Sequence, residues 1–261
     1  MSLISMVSAK GSPGVSTSAV GMALAWTTGR PGRTVTLVDA DVSGSAPSST
    51  YQRHGLDDGR GLLAWAGAAA SNDSLDRQLV RLGDVGTAFL LPGFPDGTRG
   101  VAMAGHWDSL LAALRADVVA DRCHDILIDV GRLGSGHEAV PLIRGSDVVV
   151  LVLQPTYDQV SFACAAAKSL ITQYGVHIPI AALLVGERRP YSWRDVAAAI
   201  DIPLLGVVAH DRKAAALISA GALDGSIRRS SLVRSGATVV AALPLENVDL
   251  EVTQVAGVHR D

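Results

Sequence analysis

The stretch at 147–153, DVVVLVL, most constrains what this chain can fold into. Six consecutive apolar, mostly β-branched residues leave no polar face, so a strand made from them must be covered on both sides. Similar runs of strand length recur at 2–8, 34–38, 87–91, 125–130, 179–185 and 204–208. Between them lie Ala-rich segments with helical spacing at 16–28, 101–120, 157–174, 192–200 and 211–220, and 231–243 reads as a final helix. Strands alternating with helices imply right-handed crossovers. The expected fold class is α/β: a three-layer, doubly wound, mainly parallel sheet. No repeat, low-complexity tract or linker divides the chain, so residues 1–243 read as a single domain. Residues 244–261 form a mixed C-terminal tail expected to fray.

In such a sheet, ligands bind beyond the carboxyl ends of the strands. The first strand run is followed by AKGSPGVST at 9–17, then by the helical segment. Gly11 and Gly14 would let backbone N–H groups turn toward an anion without a side chain in the way. The helix opening near Ser16 adds free N–H groups and a favourable dipole. Ser16 stands where such loops place a magnesium-binding hydroxyl. A tight Gly/Pro turn is the alternative reading. Two further strand ends bear on that choice: LVDADVSGSAPS places Asp39 and Asp41 at the same edge, and ILIDVGRLGSG places Asp129 there. A lone strand-end Asp is commonly a turn former. Three beside a glycine loop fit a magnesium–triphosphate site.

Composition narrows the partners. With 48% hydrophobic and 18% charged residues, the 261-residue chain can bury a large core, and a net charge of −3 is not that of a polycation built for nucleic acid. Lysine occurs only at 10, 168 and 213, so one of the three lies in the loop. Cys123 and Cys164 have no metal-ligand spacing. No signal-peptide pattern is visible and the longest apolar runs are too short to span a bilayer, so no integral membrane segment and a cytoplasmic location are expected.

The ordered set KGSPGVST, LVDADVSGSAP, LLPG and ILIDVG resembles the ParA/MinD superfamily of deviant Walker A, P-loop ATPases, whose loop reads K-G-G-x-G-K-[ST]-[ST]. The likeness runs from residue 4 to about 243 and includes SDVVVLVLQPTYDQVS and IPLLGVVAHD. It implies ATP and Mg2+ as cofactors and a homodimer closed around the nucleotide. Lys10 matches the signature lysine that reaches the partner's phosphates. Gly11 and Gly14 match the cradle, with Thr17 near the inner phosphate. Ser16 and Asp129 match the metal sphere, and Asp41 matches the residue that orients the attacking water, with Asp39 in the same element.

The departures are specific. Ser12 replaces a glycine, Pro13 removes an N–H donor, and Val15 replaces the lysine that spans the outer phosphates. After Asp129, where the family has prolines, Gly131 and Arg132 follow; Arg132 is either a replacement charge or an ordinary exposed arginine. GERRP stands where the family has its base-contacting Asn, so adenine selectivity is open. Two functions are consistent with this: a positioning or partitioning ATPase with slow or absent hydrolysis, or a pseudo-ATPase scaffold that localises a larger machine. By analogy the latter resembles TadZ/CpaE-like localisation factors of pilus assembly. A protein partner is expected in either case. Arg228, Arg229 and Arg234 make nonspecific DNA contact conceivable, with a solvated helix end as the alternative. The acidic tail lacks the basic amphipathic face of a membrane-targeting helix. His137 and His210 are candidates for the pocket mouth.

Overall fold

A computed structural model describes residues 2–11, 13–45, 59–68, 75–83, 87–94, 99–120, 123–134, 139–174, 178–187 and 190–243. Its strands are β1 (Leu3–Ser8), β2 (Thr34–Asp39), β3 (Val80–Arg81), β4 (Ala88–Leu91), β5 (His124–Arg132), β6 (Val148–Leu153), β7 (Ile180–Val185) and β8 (Leu204–Val208). Its α-helices are α1 (Val15–Gly29), α2 (Leu62–Ala68), α3 (Trp107–Ala120), α4 (Val140–Arg144), α5 (Tyr157–Tyr174), α6 (Trp193–Ala199), α7 (Arg212–Ser219) and α8 (Ser231–Ala242). The strands form one sheet of order β3-β4-β2-β5-β1-β6-β7-β8. All pairs are parallel except β3–β4.

The bare apolar strands divide their side chains between two cores. In β6, Val149, Leu151 and Leu153 join the core under α3, α4 and α5, whereas Val148, Val150 and Val152 join the one under α1 and α8. This period of two, with every residue buried, is what a strand covered on both faces requires. The helix at 231–243 is the principal partner of α1; Leu232, Val233, Val239 and Val240 of α8 share a core with Val20, Leu24 and Trp26. Short polar caps set the starts of the late helices. The Ser192 side chain accepts from Asp195 N while Asp195 returns the bond, Asp211 accepts from Ala214 N at 3.0 Å, and Ser230 accepts from Val233 N at 3.2 Å.

Three elements lie outside the expected set: α2, the two-residue β3, and the five-residue α4. All are too short to show a period of their own. The segment expected as a helix from 101 splits instead, with a 3-10 turn at Gly100–Met103 and α3 beginning only at Trp107. Gly105 between them is a poor helix residue. The tail at 244–261 lies outside the described residues.

The sheet's amino end is held by two aspartates. Ser2 N donates to Asp125 Oδ1 at 3.0 Å, and Leu3 N donates to Asp147 Oδ2 at 2.8 Å. Each carboxylate is neutralised by a guanidinium, Arg33 on Asp125 and Arg115 on Asp147. The carboxyl end is built differently.

Candidate functional site

Past the carboxyl end of β1, α1 begins at Val15, directly after Gly14. Gly14 takes φ 99°, a left-handed conformation that costs other residues strain, and serves as N-cap with no side-chain cap bond. The first-turn N–H groups of α1 therefore have no side-chain acceptor of this kind, the condition under which a helix start receives an external anion. A cavity of about 490 Å³ opens here, lined by Gly11, Pro13, Gly14, Val15, Ser16 and Thr17 and by Asp41, Ser43, Ser45, Gly131 and Arg132. Two loop carbonyls are tied to the β6 side: Gln154 Nε2 donates to Pro13 O and Gln159 Nε2 to Gly11 O, each at 3.4 Å. Ser12 lies outside the described residues.

Of the three strand-end aspartates, Asp41 lines the cavity, while Asp39 and Asp129 are buried beside residues that line it, Ser45 and Ser16. β2 and β5 run in register with Asp39 opposite Asp129, and both are buried. Ser45 Oγ donates to Asp39 Oδ2. Asp129 accepts from Gly131 N at 3.0 Å and from the Ser16 hydroxyl. Burial, then the neighbouring Asp39 charge, pushes the Asp129 carboxyl from 3.8 up to about 8, against the opposing Ser16 hydrogen bond. Asp41 is raised as well, chiefly by burial, and Ser43 N and the Arg132 charge oppose the shift. The Asp41 carboxylate packs so tightly on Gly131 (φ 77°) that a Cβ there would lie 2.4 Å from Asp41 Cγ.

These oxygens suit a hard divalent cation such as Mg2+: the Ser16 hydroxyl and the Asp129 carboxylate face each other, and among the described residues no cationic side chain is paired with Asp129. Also among the described residues, no three His, Cys, Asp or Glu side chains are grouped to hold a metal by themselves. Phosphate and water would have to complete the sphere.

Two loop residues are placed in ways their spacing does not reveal. Val15 lines the cavity yet is 6% exposed and belongs to the core around α1. Lys10 is absent from the lining of the cavity. Its Nζ binds Asp158 Oδ2 at 2.6 Å and lies 5.2 Å above the centre of the Phe162 ring. That hydrogen bond holds the Asp158 carboxyl down at about 2. Sequence inspection assigned no role to Asp158, Gln154, Gln159, Ser43 or Ser45. The only available signal was a polar cluster directly after a strand, as in LQPTYDQ.

No protein-family model matches the sequence, and no curated protein matches it. Solved structures do. The septum site-determining protein MinD of Pyrococcus horikoshii OT3, complexed with Mg-ADP, superposes with TM-score 0.68 at 19% identity, over 91% of this chain and 93% of that one. A ParA family ATPase from Chlorobium tepidum TLS gives TM-score 0.69 at 19% identity, over 91% and 96%. The MinC:MinD cell division complex of Aquifex aeolicus gives 0.70 at 14%, over 95% and 97%. The fold is that of the MinD and ParA ATPases. At these identities the likeness is one of architecture.

The remaining candidates lie elsewhere. Arg229 and Arg234 are exposed and Arg228 is half-buried at the start of α8, with Arg234 donating to Arg229 O at 2.8 Å. His210 is exposed and does not line the cavity; His137 lies outside the described residues. Cys123 is exposed and the Cys164 thiol donates to Ala199 O. Among the described residues no helix is long and apolar enough to cross a membrane.

Proposed function

We propose that this chain is a nucleotide-responsive positioning or partitioning protein that binds Mg·ATP at the 9–17 loop and dimerises around it, with weak or absent hydrolysis. The observation that carries this is the start of α1, without a side-chain cap, opening on the cavity with its own Ser16 hydroxyl hydrogen-bonded to the buried Asp129. In this reading Gly11, Gly14 and Thr17 hold phosphates, with Ser12 and Pro13 shaping the loop, while Ser16 and Asp129 hold Mg2+. Asp41, with Asp39 behind it, orients water. The bound metal would neutralise phosphate charge. Lys10 acts in trans after leaving Asp158; that pair is exposed, so its loss costs little. The partner is a protein of a larger machine, and Arg228, Arg229 and Arg234 offer a nonspecific DNA contact.

Calorimetry with Mg·ATP is expected to give a dissociation constant in the micromolar-to-millimolar range, with light scattering showing a dimer that strengthens on binding. A flat titration at millimolar ATP would leave the alternative, a nucleotide-independent scaffold or localisation factor for a pilus, secretion or other machine. The burial of Val15 in the α1 core favours that second reading, because the position is now packed as core.

Val15→Lys separates the two. The position lines the cavity, so a lysine stem can follow the valine's path and place its amine among the phosphates. ATP binding should tighten by about 1.5–3 kcal/mol, the worth of a hydrogen bond to a charged group. The ligand-free protein should melt earlier, because a buried apolar contact is lost. Unchanged affinity would mean that loop shape, set by Ser12 and Pro13, is the deeper defect.

A further inference from the structure

A polyphosphate carries several negative charges, and donors that are themselves charged bind it far better than neutral ones. Val15 offers no charge, and Lys10 is engaged by Asp158 outside the cavity wall. Among the described residues lining the cavity, the one cationic side chain is Arg132.

Its position results from a backbone irregularity. β1 and β5 pair in step from Leu3 opposite Ile126 to Met6 opposite Asp129, and then the register skips, so that Val7 faces Gly131 and Ser8 faces Arg132. The extra residue, Val130, makes a β-bulge, which bends a strand and re-aims the side chains beyond it. Gly131 at φ 77° supports the turn. Arg132 thereby stands beside the last residue of β1, where the phosphate loop begins. One guanidinium nitrogen lies 4.0 Å from where a Cβ would sit on Gly11. Arg132 is exposed. Among the described residues its guanidinium makes no hydrogen bond or ion pair, and its charge acts on the Asp41 carboxylate of the same cavity. The arginines at the other end of the sheet, Arg33 and Arg115, are both committed to aspartates.

We propose that Arg132 is the phosphate-binding cation of this cavity, supplying from the end of β5 the charge that Val15 does not supply from α1. The proposal rests on the nucleotide reading of the cavity. A planar guanidinium suits the task, since its fork of donors matches two phosphate oxygens at once. The cation would approach from the end of β5, the strand that carries Asp129.

The test uses the full chain with two probes, Mg·ATP and Mg-tripolyphosphate, the second lacking base and ribose. Arg132→Ala should weaken both by about 10- to 100-fold, the loss expected for one charged hydrogen-bonding group. Arg132→Glu should weaken both further. Arg132→Gln, which keeps most of the stem, gives the same readout if the alanine variant folds poorly. Wild-type affinity for tripolyphosphate in the Ala or Gln variant overturns the role of Arg132 while leaving the nucleotide site standing. Failure of the wild-type protein to bind either probe overturns both.

Discussion

Asp125→Ala should be the most destabilising single substitution at the ends of the sheet, lowering unfolding free energy by about 3–5 kcal/mol. Asp125 is fully buried and accepts from Ser2 N and Trp26 Nε1, both at 3.0 Å, and from Arg33 Nε at 2.6 Å and its terminal nitrogen at 2.5 Å. Removing the carboxylate strands several donors at once, one of them a guanidinium only 20% exposed. For a domain of this size each kcal/mol shifts the melting temperature by about 2–4 °C, so the fall should be on the order of 10 °C. Arg33→Ala should also be costly, because it leaves a buried, unneutralised carboxylate. The double variant should be no worse than the poorer single one, since both remove the same interaction. Additive losses would show that Asp125 and Arg33 act separately. Nucleotide should not rescue any of these variants beyond its ordinary mass-action stabilisation, because this network lies at the opposite end of the strands from the cavity.

That network also shows where a sequence stops informing. HDILIDVGR contains two aspartates, Asp125 at the start of the strand and Asp129 in its second half. Strand direction in a parallel sheet was enough to assign Asp129 to the ligand edge. The role of Asp125 depends on Arg33, 92 residues away, and no local pattern reports that pairing. The sheet and its main helices were legible because runs such as VVVLVL admit only a strand covered on both faces. The short α2, β3 and α4 had no period to read. Within the site, glycines and strand-end carboxylates were visible as residue types, whereas the directions of charged side chains were not. Lys10 lies in the loop by sequence yet turns to Asp158 and Phe162. Arg132 was undecided by sequence because a β-bulge, which breaks alternation by one residue, leaves no mark in hydropathy.

Asp129→Asn should act in the opposite sense to Asp125→Ala when ligand is absent. The Asp129 carboxyl is raised from 3.8 to about 8 in the folded chain, chiefly by burial and next by the Asp39 charge. Between those two values the folded protein holds a proton that the unfolded chain releases. The stability this confers is complete below about pH 4 and is lost as pH rises toward 8, at no more than about 1.4 kcal/mol per pH unit for one proton. In chelator, the wild-type melting temperature should therefore fall by up to about 3–6 °C per pH unit across that window. Asn carries no charge at any pH, so Asp129→Asn should flatten the slope and match or exceed wild-type stability at pH 8. A variant that keeps the full slope would move the titration to another carboxylate of the cluster, Asp39, whose charge acts most strongly on Asp129, or Asp41, which is also raised by burial. With Mg·ATP present the order should reverse. The wild-type carboxylate then gains the hard cation that its burial denies it, and the neutral amide offers a much poorer ligand. The same substitution should thus stabilise the empty protein at alkaline pH and abolish the magnesium dependence of nucleotide binding, a pairing of effects expected of a buried ligand site and not of a carboxylate that only holds the strands together.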